Sequence, residues 1–171
     1  MRYLILIVIV ILMGFIGMLA CRGLIARRRE LEWFYQALSL METEMDFSRD
    51  PLPVALSRTG ARIGGIVALV FHRASKILAE SPVVGGEGAF LAALKEYRDD
   101  LSLNDEDLAV LGRFSCDLGL TDLEDQKKKL NFCAKAVELQ LAAARLSEQK
   151  WKRICSVGGW MAGIVFALIL I

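Results

Sequence analysis

The stretch TDLEDQKKKLNFCAKAVELQLAAARLSEQKWKRICSVGGWMAGIVFALILI, Thr121 to Ile171, holds no proline. It changes near its end from a mixed charged and apolar pattern to an uncharged run that starts at Ile154. It opens with Thr121-Asp122-Leu123-Glu124, the spacing of a capping box, in which the Thr hydroxyl and the Glu carboxylate reciprocally satisfy N–H groups that a helix start leaves without partners. Leu123, Leu130, Val137, Ala144 and Trp151 recur every seven residues, flanked by Ala134 and Leu141, which lays one apolar stripe along a helix. At about 1.5 Å per residue such a helix reaches roughly 75 Å. It is predicted to leave a soluble bundle and enter a membrane, with Gly158-Gly159 as the place for a bend. The rest of the chain must supply the bundle that covers the stripe and a companion in the lipid.

A length of 171 residues suits one domain, but 55% hydrophobic residues and a mean hydropathy of +0.44 exceed what an ordinary soluble domain carries. The excess lies in two uncharged runs, Tyr3–Cys21 and Ile154–Ile171, each about long enough for a hydrocarbon core of roughly 30 Å. The predicted division is therefore an N-terminal transmembrane helix over 1–21, a cytoplasmic helical bundle over 22–153 and a C-terminal transmembrane helix over 154–171. Basic residues flank both runs on the side of the central domain: Arg22, Arg27, Arg28 and Arg29 after the first, Lys150, Lys152 and Arg153 before the second. Positive flanks stay in the cytoplasm, which places both termini outside. Met18-Leu19-Ala20-Cys21 supports an alternative, a secreted or lipid-anchored helical protein with Cys21 as the lipidation site, against which the arginines immediately downstream argue. A net charge of +1 gives no support to a nucleic-acid surface. The four cysteines form no Cys-x-x-Cys pair or zinc spacing, and the single histidine, His72, has no signalled nucleophile or carboxylate partner. No catalytic residue, cofactor, metal site or small-molecule substrate is expected.

Leu24, Leu31, Phe34, Leu38, Met41 and Met45 follow at three- and four-residue steps, apart from one full heptad, so the first helix is predicted to continue to Ser48. Its stripe should face Leu130-Val137-Leu141 across an antiparallel pair. Asp50 is the expected N-cap of a short helix with Pro51 and Pro53 in its first turn, running to about Arg58 and closed near Gly60. Ile63–Glu80 reads as the central buried helix, with Ile63, Val67, Val70 and Ala74 inward and His72 in solvent. Pro82–Gly88 reads as a flexible loop, since its glycines lack the strand and the Gly-Lys-Ser/Thr ending of a phosphate cradle. Phe90, Leu94, Tyr97 and Leu101 define the next helix. Asn104 then caps another that opens with Asp105-Glu106-Asp107, shows Leu108, Leu111, Ser115 and Leu118 on its face and ends at Gly119. Lys127-Lys128-Lys129, four residues after carboxylates at Glu124 and Asp125, read as a solvated face. Gly159 and Gly163 have the small-x-x-x-small spacing of packed membrane helices, and Gly14 and Gly17 offer a matching surface; an intrachain contact and a contact to another protein both stand. No strand pattern occurs, so the expected fold is all-α, a six-helix cytoplasmic bundle whose first and last helices continue into the membrane.

Three stretches together resemble the stage III sporulation protein AB family of endospore-forming bacteria. They are Arg29-Glu30-Leu31 through Ala37–Met45 with Pro51-Leu52-Pro53-Val54-Ala55-Leu56; Leu118-Gly119-Leu120-Thr121-Asp122 with Gln126-Lys127-Lys128; and the glycine-containing terminal run from Val157. Met41, Met45, Phe47 and Asp50 depart from the residues usual in the family but keep their volume or capping role. The resemblance implies a component made in the mother cell, within a secretion-like complex that spans the space to the developing spore. It also implies a soluble domain similar to that of the F platform protein of type II secretion and type IV pilus machines. Such platforms couple a cytoplasmic hexameric ATPase to the other membrane subunits. Helix lengths put Asp50, Pro51, Leu52, Pro53, Asp122, Asp125 and Gln126 at the end farthest from the membrane, as the expected partner interface. The same residues also have a complete explanation as helix caps.

Overall fold

The computed structural model describes the backbone of residues 2–47, 50–115 and 123–169 and the side chains of 22–44, 50–113 and 128–151. Among these residues the chain is all-helical: α1 Arg2–Phe47, α2 Leu52–Arg62, α3 Gly65–Glu80, a 3₁₀ turn Pro82–Val84, α4 Gly85–Glu96, α5 Asp105–Ser115 and α6 Leu123–Ile169. It divides into two compact units, one of Met1–Arg28 with Ala142–Ile171 and one of Arg29–Leu141. Among the described residues no single helix is long and apolar enough to cross a membrane. Gly65–Glu80 with Pro82–Glu96 has the length and composition only as a pair bent by 112°, and Val67, Val70, Phe71, Ala74, Phe90 and Ala93 of this pair are buried in the core. The uncharged runs 3–21 and 154–171 carry side chains outside the described set.

In the Arg29–Leu141 unit, Leu31, Phe34, Ala37, Leu38 and Met41 of α1 are buried at three- and four-residue spacing. Met45 lies outside the described side chains. Leu130, Val137 and Leu141 of α6 are buried as expected, but Cys133 rather than Ala134 takes the inward position between them. At 3.6 residues per turn, 133 and 134 stand at equal angles on either side of the line through 130 and 137, so the neighbouring helices and not the heptad select between them. Asn131 Nδ2 donates to Glu42 Oε1 at 3.4 Å. The end of α1 therefore lies beside the beginning of α6, as an antiparallel pair requires. The centre of the unit is aromatic. Phe71 of α3 meets Phe34 of α1 at 6.2 Å and Phe90 of α4 at 5.4 Å between ring centroids, the second pair edge to face.

Five local expectations change. α2 runs on to Arg62, with Gly60 buried inside it, because a bare Cα there lets α3 approach: a Cβ would stand 3.1 Å from His72 Cδ2 and 3.2 Å from the Ala68 carbonyl. Asp50 is not the cap. Pro51 holds that position without a side-chain hydrogen bond, and its carbonyl accepts from Val54 N at 2.9 Å and Ala55 N at 3.3 Å. α3 begins at Gly65 rather than Ile63, since Ile63 and Gly64 are extended. The glycine-rich stretch is no loop: Gly85 starts α4, and Gly86, Ala89, Phe90, Ala93 and Leu94 are buried along it. Packing against α3 overrides the low helix propensity of glycine. α4 in turn stops at Glu96, and Leu101 is buried from the connection beyond it. His72 is exposed, as expected. Asn104 caps α5 in a reciprocal box, Asp107 N–H to Asn104 Oδ1 at 2.8 Å and Asn104 N–H to Asp107 Oδ2 at 3.1 Å. The Thr121 box, Leu118 and Gly119 lie outside the described residues.

In the other unit, Arg28 Nε reaches Glu148 Oε2 at 2.6 Å, and Glu148 and Ala144 are buried. Trp151, expected on the inward stripe, is 48% exposed. The inward line passes from Ala144 to Glu148, four residues on, where an arginine meets the carboxylate. Trp151 stands a further three residues along and turns outward.

Two glycines have positive φ, Gly65 at 66° and Gly85 at 69°. A Cβ on Gly65 would enter the Trp33 ring, whereas one on Gly85 meets nothing within 4 Å. Gly85→Ala should cost about 1 kcal/mol from its backbone conformation alone. Gly65→Ala should cost on the order of 3 kcal/mol or more, because the ring or the α2–α3 turn must move. Thermal unfolding of the two variants by circular dichroism checks this, and equal losses would contradict the seating of Trp33.

Candidate functional site

Of the residues expected to meet a partner, Asp50 is exposed and gives its carboxylate to Arg58 Nη1 at 2.5 Å. Arg58 also stands 3.4 Å from Glu44, whose other oxygen takes Arg62 Nη1 at 2.9 Å. Two acids and two arginines thus tie the end of α1 to α2. Exposed pairs of this kind contribute about 0–1 kcal/mol each. Pro51 is exposed, while Leu52 and Pro53 are half-buried beside an open hollow of about 470 Å³ shared with Leu78, Ala79, Pro82, Gly85 and Gly86. The Pro53 carbonyl accepts from Ser75 Oγ at 2.7 Å, which fastens the start of α2 to α3. Asp122 lies outside the described residues. Asp125 and Gln126 fall in the first turns of α6, and Gly14, Gly17, Gly159 and Gly163 on the helical backbones of α1 and α6, all with surroundings outside the described set.

A second polar centre escaped the sequence. Glu30 of α1 is buried, and its Oε2 accepts the Ser102 N–H at 2.8 Å, holding the α4–α5 connection against α1. Burial pushes this carboxyl above its ordinary range, with Asp107 adding to the rise and the Ser102 hydrogen bonds opposing it. Leu101 and Leu103, buried on either side, make the same attachment apolar. A single glutamate on an otherwise apolar helix face gave no spacing signal by which a partner 72 residues away could be found.

A groove between α5 and α6 also went unpredicted. Val110, Arg113, Lys128, Lys129, Phe132, Cys133 and Ala136 line about 330 Å³. Burial pushes the Cys133 thiol up to about 12, so this wall stays neutral. Phe132 and Leu139 are 77% and 73% exposed. The signal was present as a second heptad, Phe132, Leu139, Leu146, offset from the buried one. Among the described residues no cluster of three His, Cys, Asp or Glu could hold a metal ion.

A family model described as stage III sporulation protein AB matches residues 2–171. The chain belongs to the stage III sporulation protein AB family. The stage III sporulation protein AB of Bacillus subtilis (strain 168) is 26% identical over 144 residues, which are 84% of each chain. A solved structure of stage III sporulation protein AB superposes with a TM-score of 0.68 at 25% identity, covering 73% of this chain and 98% of that one. The resemblance drawn from the three stretches is thus confirmed, and the family is one of stage III of sporulation.

Because the folded chain holds the Glu30 proton more tightly than the unfolded chain, that group's contribution is fully present below its ordinary value of 4.5 and lost as pH rises through the raised folded value. Glu30→Gln keeps an acceptor for the Ser102 N–H and has no charge to bury. It should flatten the decline of the thermal midpoint that the parent shows as pH rises above 4.5. Glu30→Ala, which strands the amide, should lower the midpoint throughout, by about 1–3 kcal/mol in stability. A Gln variant as pH-dependent as the parent would overturn the assignment.

Proposed function

We propose that this protein is a non-enzymatic integral membrane component of a secretion-like complex in endospore formation, a platform that couples a cytoplasmic hexameric ATPase to the other membrane subunits. Its place is the mother-cell membrane around the forespore, crossed twice, with the central domain in the cytoplasm and both termini outside. The observation that carries this reading is that α1 and α6 are each one helix from an apolar, uncharged run into a bundle, with basic residues where the run ends. Family membership supplies the sporulation context. Arg22, Arg27, Arg28 and Arg29 immediately after Cys21 favour a membrane anchor over cleavage and lipidation at that residue. The contact of Glu42 with Asn131 brings the end of α1 beside the start of α6, which supports placing Asp50–Pro53 and Asp122–Gln126 at one tip for the ATPase. At such a tip the subunit transmits force or position, and no chemistry is asked of its side chains.

Val83 is fully exposed. In a variant whose sole cysteine replaces Val83, produced in non-sporulating cells so that the membrane that holds it faces the medium, a membrane-impermeant thiol reagent should spare the protein in intact cells and label it after permeabilisation; labelling of intact cells refutes the topology. Docking is tested separately. Asp122→Lys with Asp125→Lys reverses charge at the tip, and a double variant whose helical spectrum is parental should bind the ATPase about tenfold more weakly. Parental binding and parental spore formation by the folded double variant would exclude the tip as the docking surface.

A further inference from the structure

Phe132, Ala136 and Leu139 stand at four- and three-residue steps along α6, on the side opposite the buried Leu130-Cys133-Val137-Leu141 line. Large residues alternate with alanine. The same spacing recurs in the sequence at Ala143 and Leu146, and Leu146 is 68% exposed. A run of solitary exposed apolar residues is ordinary, but a repeat in steps of four and three is the surface that accepts another helix, the alanines leaving the holes into which its ridge fits. At this ridge the lining of the α5–α6 groove combines Val110, Phe132, Cys133 and Ala136 with Arg113, Lys128 and Lys129.

Charge decides the kind of helix. Lys128 and Lys129 hold interactions within the chain. Among the described residues, the lining of the groove nevertheless holds three cations, Arg113, Lys128 and Lys129, and no carboxylate. Two copies of this chain meeting through the face would set cations against cations, so it is poorly matched to itself. An anionic lipid surface would satisfy the charge, but it has no ridge to fill the alanine holes or the concave groove. We propose that this face of the Arg29–Leu141 unit docks an amphipathic α-helix of another protein, one that carries an apolar ridge flanked by acidic residues. The mode is a helix laid into a groove, with one large apolar side chain against Phe132 and carboxylates opposite Arg113, Lys128 and Lys129. It lies on other residues than the tip assigned to the ATPase and does not depend on that assignment.

The probe is a fluorescent synthetic helix with leucine and alanine in alternation along one ridge and glutamate beside it, titrated by anisotropy against the full chain in neutral phosphatidylcholine nanodiscs. A control peptide has lysine for every glutamate. The acidic peptide should bind at least about tenfold more tightly than the control, and its affinity should fall as salt is raised from about 50 to 300 mM. Phe132→Ser and, independently, Leu139→Ser should each weaken binding about tenfold or more while the circular dichroism spectrum and thermal midpoint stay parental, since both side chains are exposed. Equal binding of the two peptides, or binding indifferent to both serine variants, overturns the proposal. So does either of two other results: self-association of the parent chain that Phe132→Ser abolishes, which assigns the face to a second copy, or peptide binding that vanishes in phosphatidylglycerol discs, which assigns it to lipid.

Discussion

Phe71 is the contact on which the Arg29–Leu141 unit depends. It lies between Phe34 and Phe90 and so joins α1, α3 and α4 through one column of rings, each of them fully buried. Val67, Val70, Ala74 and Leu78 continue it along α3, and Ala89, Ala93 and Leu94 let α4 lie close against it. Aromatic side chains bury about 150–250 Å² each, and edge-to-face pairing adds about 0.5–1.5 kcal/mol. That gain is what permits a helix to begin on glycines, at Gly85 and Gly86, where local propensity alone would leave a loop.

Polar contacts then set the angles at which the connections leave the core. Trp33 is the clearest case, its indole lying 3.2 Å from where a Cβ of Gly64 would stand, with the Arg29 guanidinium 5.1 Å from the ring centroid. The α2–α3 turn rests on this ring, and only glycines allow so close an approach. Glu30 performs the corresponding task for the α4–α5 connection, at the cost of a buried carboxyl. Both residues sit on the first turns of α1 that belong to this unit. One short segment of α1 therefore positions two connections distant in sequence.

The surface left over is uneven. Salt bridges such as Arg73 to Glu96 at 2.7 Å and Arg98 to Asp105 at 2.8 Å decorate most helix edges. On α6 the outward side instead repeats Phe132 and Leu139 at heptad spacing. A helix amphipathic on two sides satisfies the bundle with one and leaves the other exposed.

The sequence by itself determined the all-α class, the six helices and the inward stripes of α1 and α3, because a 3.6-residue period of apolar side chains is a local property of a helix that must be buried. It also determined the Asn104 cap, for the donor and acceptor lie within one turn. Only the tertiary structure decided that Cys133 and Glu148 face inward while Trp151 turns out, since a heptad drifts from a 3.6-residue helix by about 20° each repeat and the neighbour selects the winning residue. It likewise converted the Gly85–Gly88 loop into helix, moved Asp50 from cap to salt bridge and seated Trp33 on Gly64 and Gly65. Each of these outcomes depends on an atom far away in sequence, and no local pattern encodes the approach of a distant ring, arginine or helix face.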